Sequence, residues 1–182
     1  DAIGRGPVAG FGHSMGGAVI LEAARAMPDR VLGLIGIDTY HDVAEKSDTT
    51  WMAAFIATLK NDFTATTRPW VRAMLPDSTD AALADWIVSD MSSADPVVAV
   101  SAFSNYVHYN HMPGFTGLGK PVYCVNADLW PTQLEPMRRV LPAVELTLLR
   151  GIGHFVMLEA PRDFLAALVN GIEYIRTHTD GK

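Results

Sequence analysis

The sequence predicts an α/β fold: a mostly parallel sheet with flanking helices and a helical cap inserted mid-chain. Three observations predict it. Short apolar runs alternate with helical patterns. Most of those runs are apolar throughout rather than every second residue. And about eighty residues with no such run part the second from the third. Strands alternating with helices imply crossover connections, and a parallel sheet covered on both faces leaves no polar face for the sequence to show.

Strands are expected at residues 8–11 (Val-Ala-Gly-Phe), 31–37 (Val-Leu-Gly-Leu-Ile-Gly-Ile), 121–125 (Pro-Val-Tyr-Cys-Val) and 144–149 (Val-Glu-Leu-Thr-Leu-Leu). Helices are expected between and after them. The Ala- and Leu-rich stretch 15–27 is stopped by Pro28, and 133–141 is short, with Pro136 in its first turn. Residues 161–177 open on Pro161, a helix-start residue, and set Phe164, Leu168, Ile172 and Ile175 on one face. The long stretch between the second and third strands exceeds any single crossover. It reads as helices at 50–59, at 78–91 with Ser78 as cap, and at 95–109 opening on Asp95-Pro96. Trp51, Trp70, Trp86, Phe55, Phe63, Phe103 and Tyr106 fall there. Most should hold a helical subdomain together, with a minority facing a ligand. The expected organisation is one domain over 1–182, with the cap at about 41–115.

Composition narrows the function. With 49% hydrophobic and 19% charged residues, the 182-residue chain has the apolar mass of an ordered globular protein. Twenty acidic against 14 basic side chains, and no basic cluster, argue against a nucleic-acid partner. The longest apolar run is far too short for a membrane span. One cysteine, Cys124, excludes an internal disulfide framework or a Cys-based zinc site. Few cysteines and no visible export signal point to the cytoplasm.

The chemical signal is Gly12-His13-Ser14-Met15-Gly16-Gly17, set between a strand and a helix. A serine with glycine two residues to either side fits a sharp strand-to-helix turn. Gly12 and Gly16 would remove clashing Cβ atoms, and the strained backbone would lift the hydroxyl clear of the sheet. The Met15 amide, at the helix start, then points toward an oxyanion formed at that serine. A serine needs a base. His154 stands in Gly151-Ile-Gly-His-Phe-Val-Met-Leu-Glu-Ala-Pro161, after the last strand, where two glycines permit a close approach to the sheet's rim. His13, His41, His108, His111 and His178 read as packing or solvated residues. The base needs an acid to fix its tautomer. Asp128 follows the third strand and Asp38 the second, both at carboxyl ends. Asp128 is favoured, because its strand should neighbour the one leading to the histidine; Asp38 is the alternative.

These residues resemble the α/β-hydrolase superfamily. The order Ser, Asp, His, the G-H-S-M-G-G elbow and the G-x-G-H-F…E-x-P segment all match, and the resemblance runs the whole chain. It implies Ser14 as nucleophile, His154 as general base, Asp128 as its acid and the Met15 amide as one oxyanion donor. Members with a cap and Met after the serine are esterases, lactonases, thioesterases or carbon–carbon bond hydrolases; a serine excludes the branches that use aspartate. Two features depart from the family pattern. Only thirteen residues precede Ser14, where members have about four strands, and no loop supplies a second oxyanion amide. The chain therefore reads as the C-terminal two-thirds of such a fold, weakly active or inactive by itself.

The expected function is a serine hydrolase of small, largely apolar esters, lactones or thioesters, with no cofactor and no metal. The alternatives are a carbon–carbon hydrolase with the same triad and a non-catalytic small-molecule receptor. His13, Trp51, Phe55, Trp130 and Phe155 are the candidate pocket residues. Expected partners are the substrate and a complementing N-terminal segment or a second copy, with no nucleic acid or membrane.

Overall fold

β1 (Val8–His13), β2 (Val31–Ile37), β3 (Val122–Ala127) and β4 (Glu145–Leu149) pair in parallel and in chain order in the computed structural model, which describes residues 6–43 and 49–179. The reason β2 and β3 are apolar throughout is visible in their alternation. Val31, Leu34, Val122 and Cys124 point into one core, shared with Leu21, Phe115, Met137 and Val144. Ile35, Ile37, Tyr123, Val125 and Ala127 point into the other, shared with Val156, Ala167 and Ile175. Helices close both faces. α1 (Gly16–Ala26), α6 (His111–Phe115) and α7 (Leu134–Arg138) flank the first core; α8 (Val156–Glu159) and α9 (Pro161–Thr179) flank the second.

α9 turns a different face inward from the one its pattern suggests. Phe164, Ala167, Leu168, Gly171 and Ile175 line its inner side, whereas Ile172 is exposed beside Leu165 and Val169. Gly171 explains the rotation: a Cβ there would stand 3.0 Å from both Ile35 and Tyr123, so the bare backbone lets the helix settle on the sheet. α7 is shorter than expected. Beyond Arg138 the chain turns, with the Val140 and Leu141 amides both donating to the Met137 carbonyl.

Between β2 and β3 stand α2 (Thr49–Asn61), α3 (Phe63–Arg72), α4 (Ala81–Ser92), α5 (Pro96–Val107) and α6. The expected insert began at residue 41, and its residues 44–48 lie outside the described residues. α3 escapes the sequence pattern because Thr64, Thr66, Thr67 and Pro69 lower its helical propensity. Its start is fixed instead by Asp62, whose carboxylate accepts from the Ala65 amide. α4 is capped by Asp80, bonded to the Leu83 amide, and not by Ser78. α5 is capped by Asp95, as Asp-Pro suggests, with bonds from the Val97 and Val98 amides. Among the described residues no helix is long and apolar enough to cross a membrane.

Candidate active site

Three strand ends form one row. The Ser14 amide donates to the Ile37 carbonyl (2.9 Å), the Asp38 amide to Val125 (2.9 Å) and the Asp128 amide to Leu149 (3.1 Å). Each residue thus continues the parallel ladder one rung past its strand. There the backbone turns sharply. Among the described residues the non-glycine positions with positive φ are Ser14 (52°), Asp38 (42°) and Tyr40 (58°), and all three lie on this rim or one turn beyond it. Side chains rarely adopt that region, so three together mark backbone held by its surroundings.

The elbow glycines divide their labour differently from expectation. A Cβ on Gly12 would sit 2.3 Å from the Gly16 carbonyl oxygen, so Gly12 is required. On Gly16 it would meet nothing within 4 Å. The second tight position is Gly17, where a Cβ would stand 2.6 Å from Thr39 Oγ1. Tyr40 seals that junction by donating its hydroxyl to the Gly17 carbonyl at 2.5 Å.

His154 reaches the rim through a loop held from three sides. Gly151 takes φ 72°, which a glycine adopts freely. Gly153 passes so close to the insert that a Cβ would fall 2.3 Å from the Met74 carbonyl. The His154 amide donates to that same carbonyl at 2.9 Å. Glu159 gathers the rest: its carboxylate accepts from the Gly153 amide (2.9 Å), the Phe155 amide (3.1 Å) and the Thr79 hydroxyl (2.8 Å). His154 is 7% exposed. It lies beside the elbow, its ring centroid 4.5 Å from that of His13, and His13 Nε2 donates to the His154 carbonyl at 2.9 Å.

The acid beside His154 is Asp38, not Asp128. His154 Nδ1 is 2.5 Å from Asp38 Oδ2, whereas Asp128 is exposed and accepts from the Gly151 amide at 2.8 Å. The geometry of the sheet explains the correction. The serine strand β1 and the strand leading to the histidine, β4, are the two outer strands, so a loop heading from β4 toward the elbow crosses β3 first. Having crossed, the imidazole lies over the end of β2, where Asp38 stands. Asp128 is left at the base of the loop, bonding its first turn.

Burial would raise the Asp38 carboxyl, but the hydrogen bond to His154 and the contact with His41 outweigh it and bring it down to about 2. The Ala127 amide also donates to Asp38 Oδ1 at 2.8 Å. Burial, and then the adjacent His154, lower the pKa of His13. Buried Cys124 is pushed up to about 12, leaving an inert thiol.

Of the expected pocket residues the structure brings three together. Phe155 lies edge-on to His154 and near His13, and Trp130 lies edge-on to His154 and His41. Trp51 instead stacks on Phe55, which faces Trp70 and Phe103 within the insert. Met15, the expected oxyanion donor, immediately precedes α1. Among the described residues no group of three His, Cys, Asp or Glu side chains is placed so as to hold a metal ion.

A parallel sheet with helices on both faces, a strained serine elbow and a histidine–aspartate pair at its carboxyl rim define a class, and the comparisons agree with it. The model of the Alpha/beta hydrolase family matches residues 1–168, and the chain belongs to that family. The fold is similar to a thermophilic esterase from Thermogutta terrifontis (20% identity, TM-score 0.79), covering 93% of this chain and 66% of that one. It is also similar to a hydrolase from Oleispira antarctica (14% identity, TM-score 0.77, 94% of this chain and 66% of that one). A third is Est816, an N-acyl homoserine lactone degrading enzyme (18% identity, TM-score 0.74, 93% and 69%). The chain thus spans just under two thirds of the length of the first two. No curated protein matches it.

Proposed function

We propose that the protein is a serine hydrolase that cleaves small carboxylic esters, thioesters or lactones through an acyl-enzyme, with Ser14, His154 and Asp38 as its triad. The observation that carries this is the 2.5 Å bond between His154 Nδ1 and Asp38 beside a serine held at φ 52°. With Nδ1–H committed to the carboxylate, Nε2 is the nitrogen left to take the serine proton. Ser14 Oγ attacks the carbonyl carbon while His154 Nε2 removes its proton. Asp38 stabilises the imidazolium, and the Met15 amide donates to the oxyanion. Collapse of the tetrahedral intermediate breaks the bond to the leaving group, to which His154 returns the proton. Water, deprotonated by the same nitrogen, then releases the acid and regenerates Ser14. The burial of Asp38 keeps water from competing for its bond to Nδ1, while the Phe155 and Trp130 rings favour an apolar acyl or leaving group. The esterase and lactonase among the similar folds support this substrate class. The helical insert would serve as the cap of the domain. The single cysteine fits a cytoplasmic address, to be checked by fractionation.

The test is covalent labelling by a fluorophosphonate probe. Labelling of the 182-residue chain is expected and should vanish in Ser14→Ala. Asp38→Asn should slow it by about 10³-fold or more, in line with loss of a triad acid, and Asp128→Asn by a few-fold at most. Turnover of p-nitrophenyl esters by this chain is expected to be slow, since a single assigned oxyanion donor forfeits on the order of 10²-fold. Equal effects of the two aspartate variants would refute the assignment of Asp38. Absence of labelling would favour a small-molecule receptor, and labelling with turnover confined to β-diketones would favour carbon–carbon hydrolysis.

A further inference from the structure

Asp38 is approached by two imidazoles. His154 Nδ1 meets Oδ2, and on the other oxygen His41 Nε2 stands 3.5 Å from Oδ1. That nitrogen is buried and has no nearer hydrogen-bond partner among the described residues. His41 itself is anchored by its backbone, its carbonyl accepting from the Gln133 amide at 2.6 Å. Whether Nε2 carries a proton decides whether this contact attracts or repels the carboxylate.

Hydrogen bonds two residues away answer that. Asn126 is fully buried and grips Thr39: its Oδ1 accepts from the Thr39 amide (3.2 Å) and its Nδ2 donates to the Thr39 carbonyl (3.0 Å). A flipped amide would set donor against donor and acceptor against acceptor, so the orientation is fixed. The second Nδ2 proton then goes to Thr132 Oγ1 at 2.9 Å. Thr132 is thereby an acceptor toward Asn126, and its own proton is free for His41 Nδ1, 3.2 Å away. A hydroxyl has two lone pairs, so the bond from Asn126 alone leaves either direction open. Donation by Thr132 to His41 Nδ1 is the direction that puts the ring proton on Nε2, where it meets the Asp38 carboxylate 3.5 Å away instead of opposing it with a lone pair.

We infer that His41 is a positioning residue whose Nε2–H, set by the Asn126–Thr132 relay, holds Asp38 Oδ1 and so keeps Oδ2 on His154. The Ala127 amide on Oδ1 and His41 then brace one oxygen while the base takes the other. The catalytic consequence rests on the triad proposed above; the tautomer does not.

Long-range ¹H–¹⁵N spectra of the folded chain read the tautomer directly. His41 is expected as the Nε2–H form near neutral pH, and Thr132→Val, which removes the donor without touching the ring, should yield a mixture of both forms. In parallel, His41→Leu should slow fluorophosphonate labelling of Ser14 by about tenfold, the scale of a small misplacement at a reacting centre, and shift the His154 Nδ1 proton resonance. His41→Gln, whose amide nitrogen reaches where Nε2 does, should recover most of that rate; a merely structural role predicts no such rescue. An Nδ1–H tautomer in the parent chain, or a His41→Leu variant that labels at the parent rate with the His154 resonance unmoved, would overturn the inference. A parent that is never labelled refutes the hydrolase reading, and the tautomer spectra then decide the role of His41 on their own.

Discussion

Asp38 holds its charge although burial opposes it, and this makes the residue a contributor to stability as well as a candidate acid. Its carboxyl falls from 3.8 to about 2 in the folded chain. A carboxyl lowered by folding contributes stability above its unfolded value, and that contribution is lost as pH falls from about 4 to about 2. The difference corresponds to about 2 kcal/mol. Urea unfolding at stepped pH should therefore show the parent losing about 2 kcal/mol more than Asp38→Asn over that window; parallel curves would mean that the imidazoles do not hold the carboxylate. The elbow glycines give a second residue-scale contrast. Gly12→Ala drives a Cβ into backbone, and Gly17→Ala drives one into Thr39. Each should cost about 1–3 kcal/mol or more, as overpacking does. Gly16→Ala should stay within about 0.5 kcal/mol, since the position is open. Unfolding midpoints of the three variants check the order. The G-x-S-x-G pattern points to the right loop, but it does not tell which glycine is tight, because Gly17 is constrained by Thr39, twenty-two positions away.

At the scale of elements, the loop after β4 shows what could and could not be read in advance. β2 and β3 were legible because an apolar run buried on both faces leaves a local imprint, the partly buried outer strands β1 and β4 fitted the alternation of strand and helix, and the parallel pairing bears out the expected sheet. The partner of His154 was not, because adjacency between β3 and β4 suggested Asp128, while the side of the sheet on which the loop lands depends on contacts with the insert. Met74, Thr79 and Gly153 set that landing, with Glu159 at its centre. Glu159→Gln replaces one accepting oxygen by an NH₂ group and leaves at least one of three donors unmatched. It should cost about 1–3 kcal/mol, speed hydrogen exchange at the Gly153 and Phe155 amides, and slow labelling of Ser14 although Glu159 lies outside the triad. Unchanged exchange at those two amides would show that the Met74 carbonyl alone fixes the loop. α3 was hidden for a different reason: threonines and a proline weaken its local preference, and only tertiary packing of Val71 against α4 and Phe155 reveals it.

For the whole molecule, the sheet is unevenly covered, and the exposed side has a physical consequence. β1 pairs only with β2 among the described residues, and it shows Val8 (42% exposed) and Phe11 (43%) on a strand whose outer edge is unpaired there. Val19 on α1 and Leu165, Val169 and Ile172 on α9 are also open to solvent. An apolar parallel edge is a template for another strand, and proteins ordinarily blunt such edges with charge or cover them. The 182-residue chain is therefore expected to associate as its concentration rises, seen as growing scatter and an earlier elution in size-exclusion chromatography. Phe11→Lys places a charge on that edge and should suppress the association, while its unfolding free energy stays within about 0.5 kcal/mol of the parent, as for other exposed positions. If Phe11→Lys associates as readily as the parent, the edge is not the adhesive surface, and the exposed stripe of α9 becomes the next to charge, through Val169→Lys.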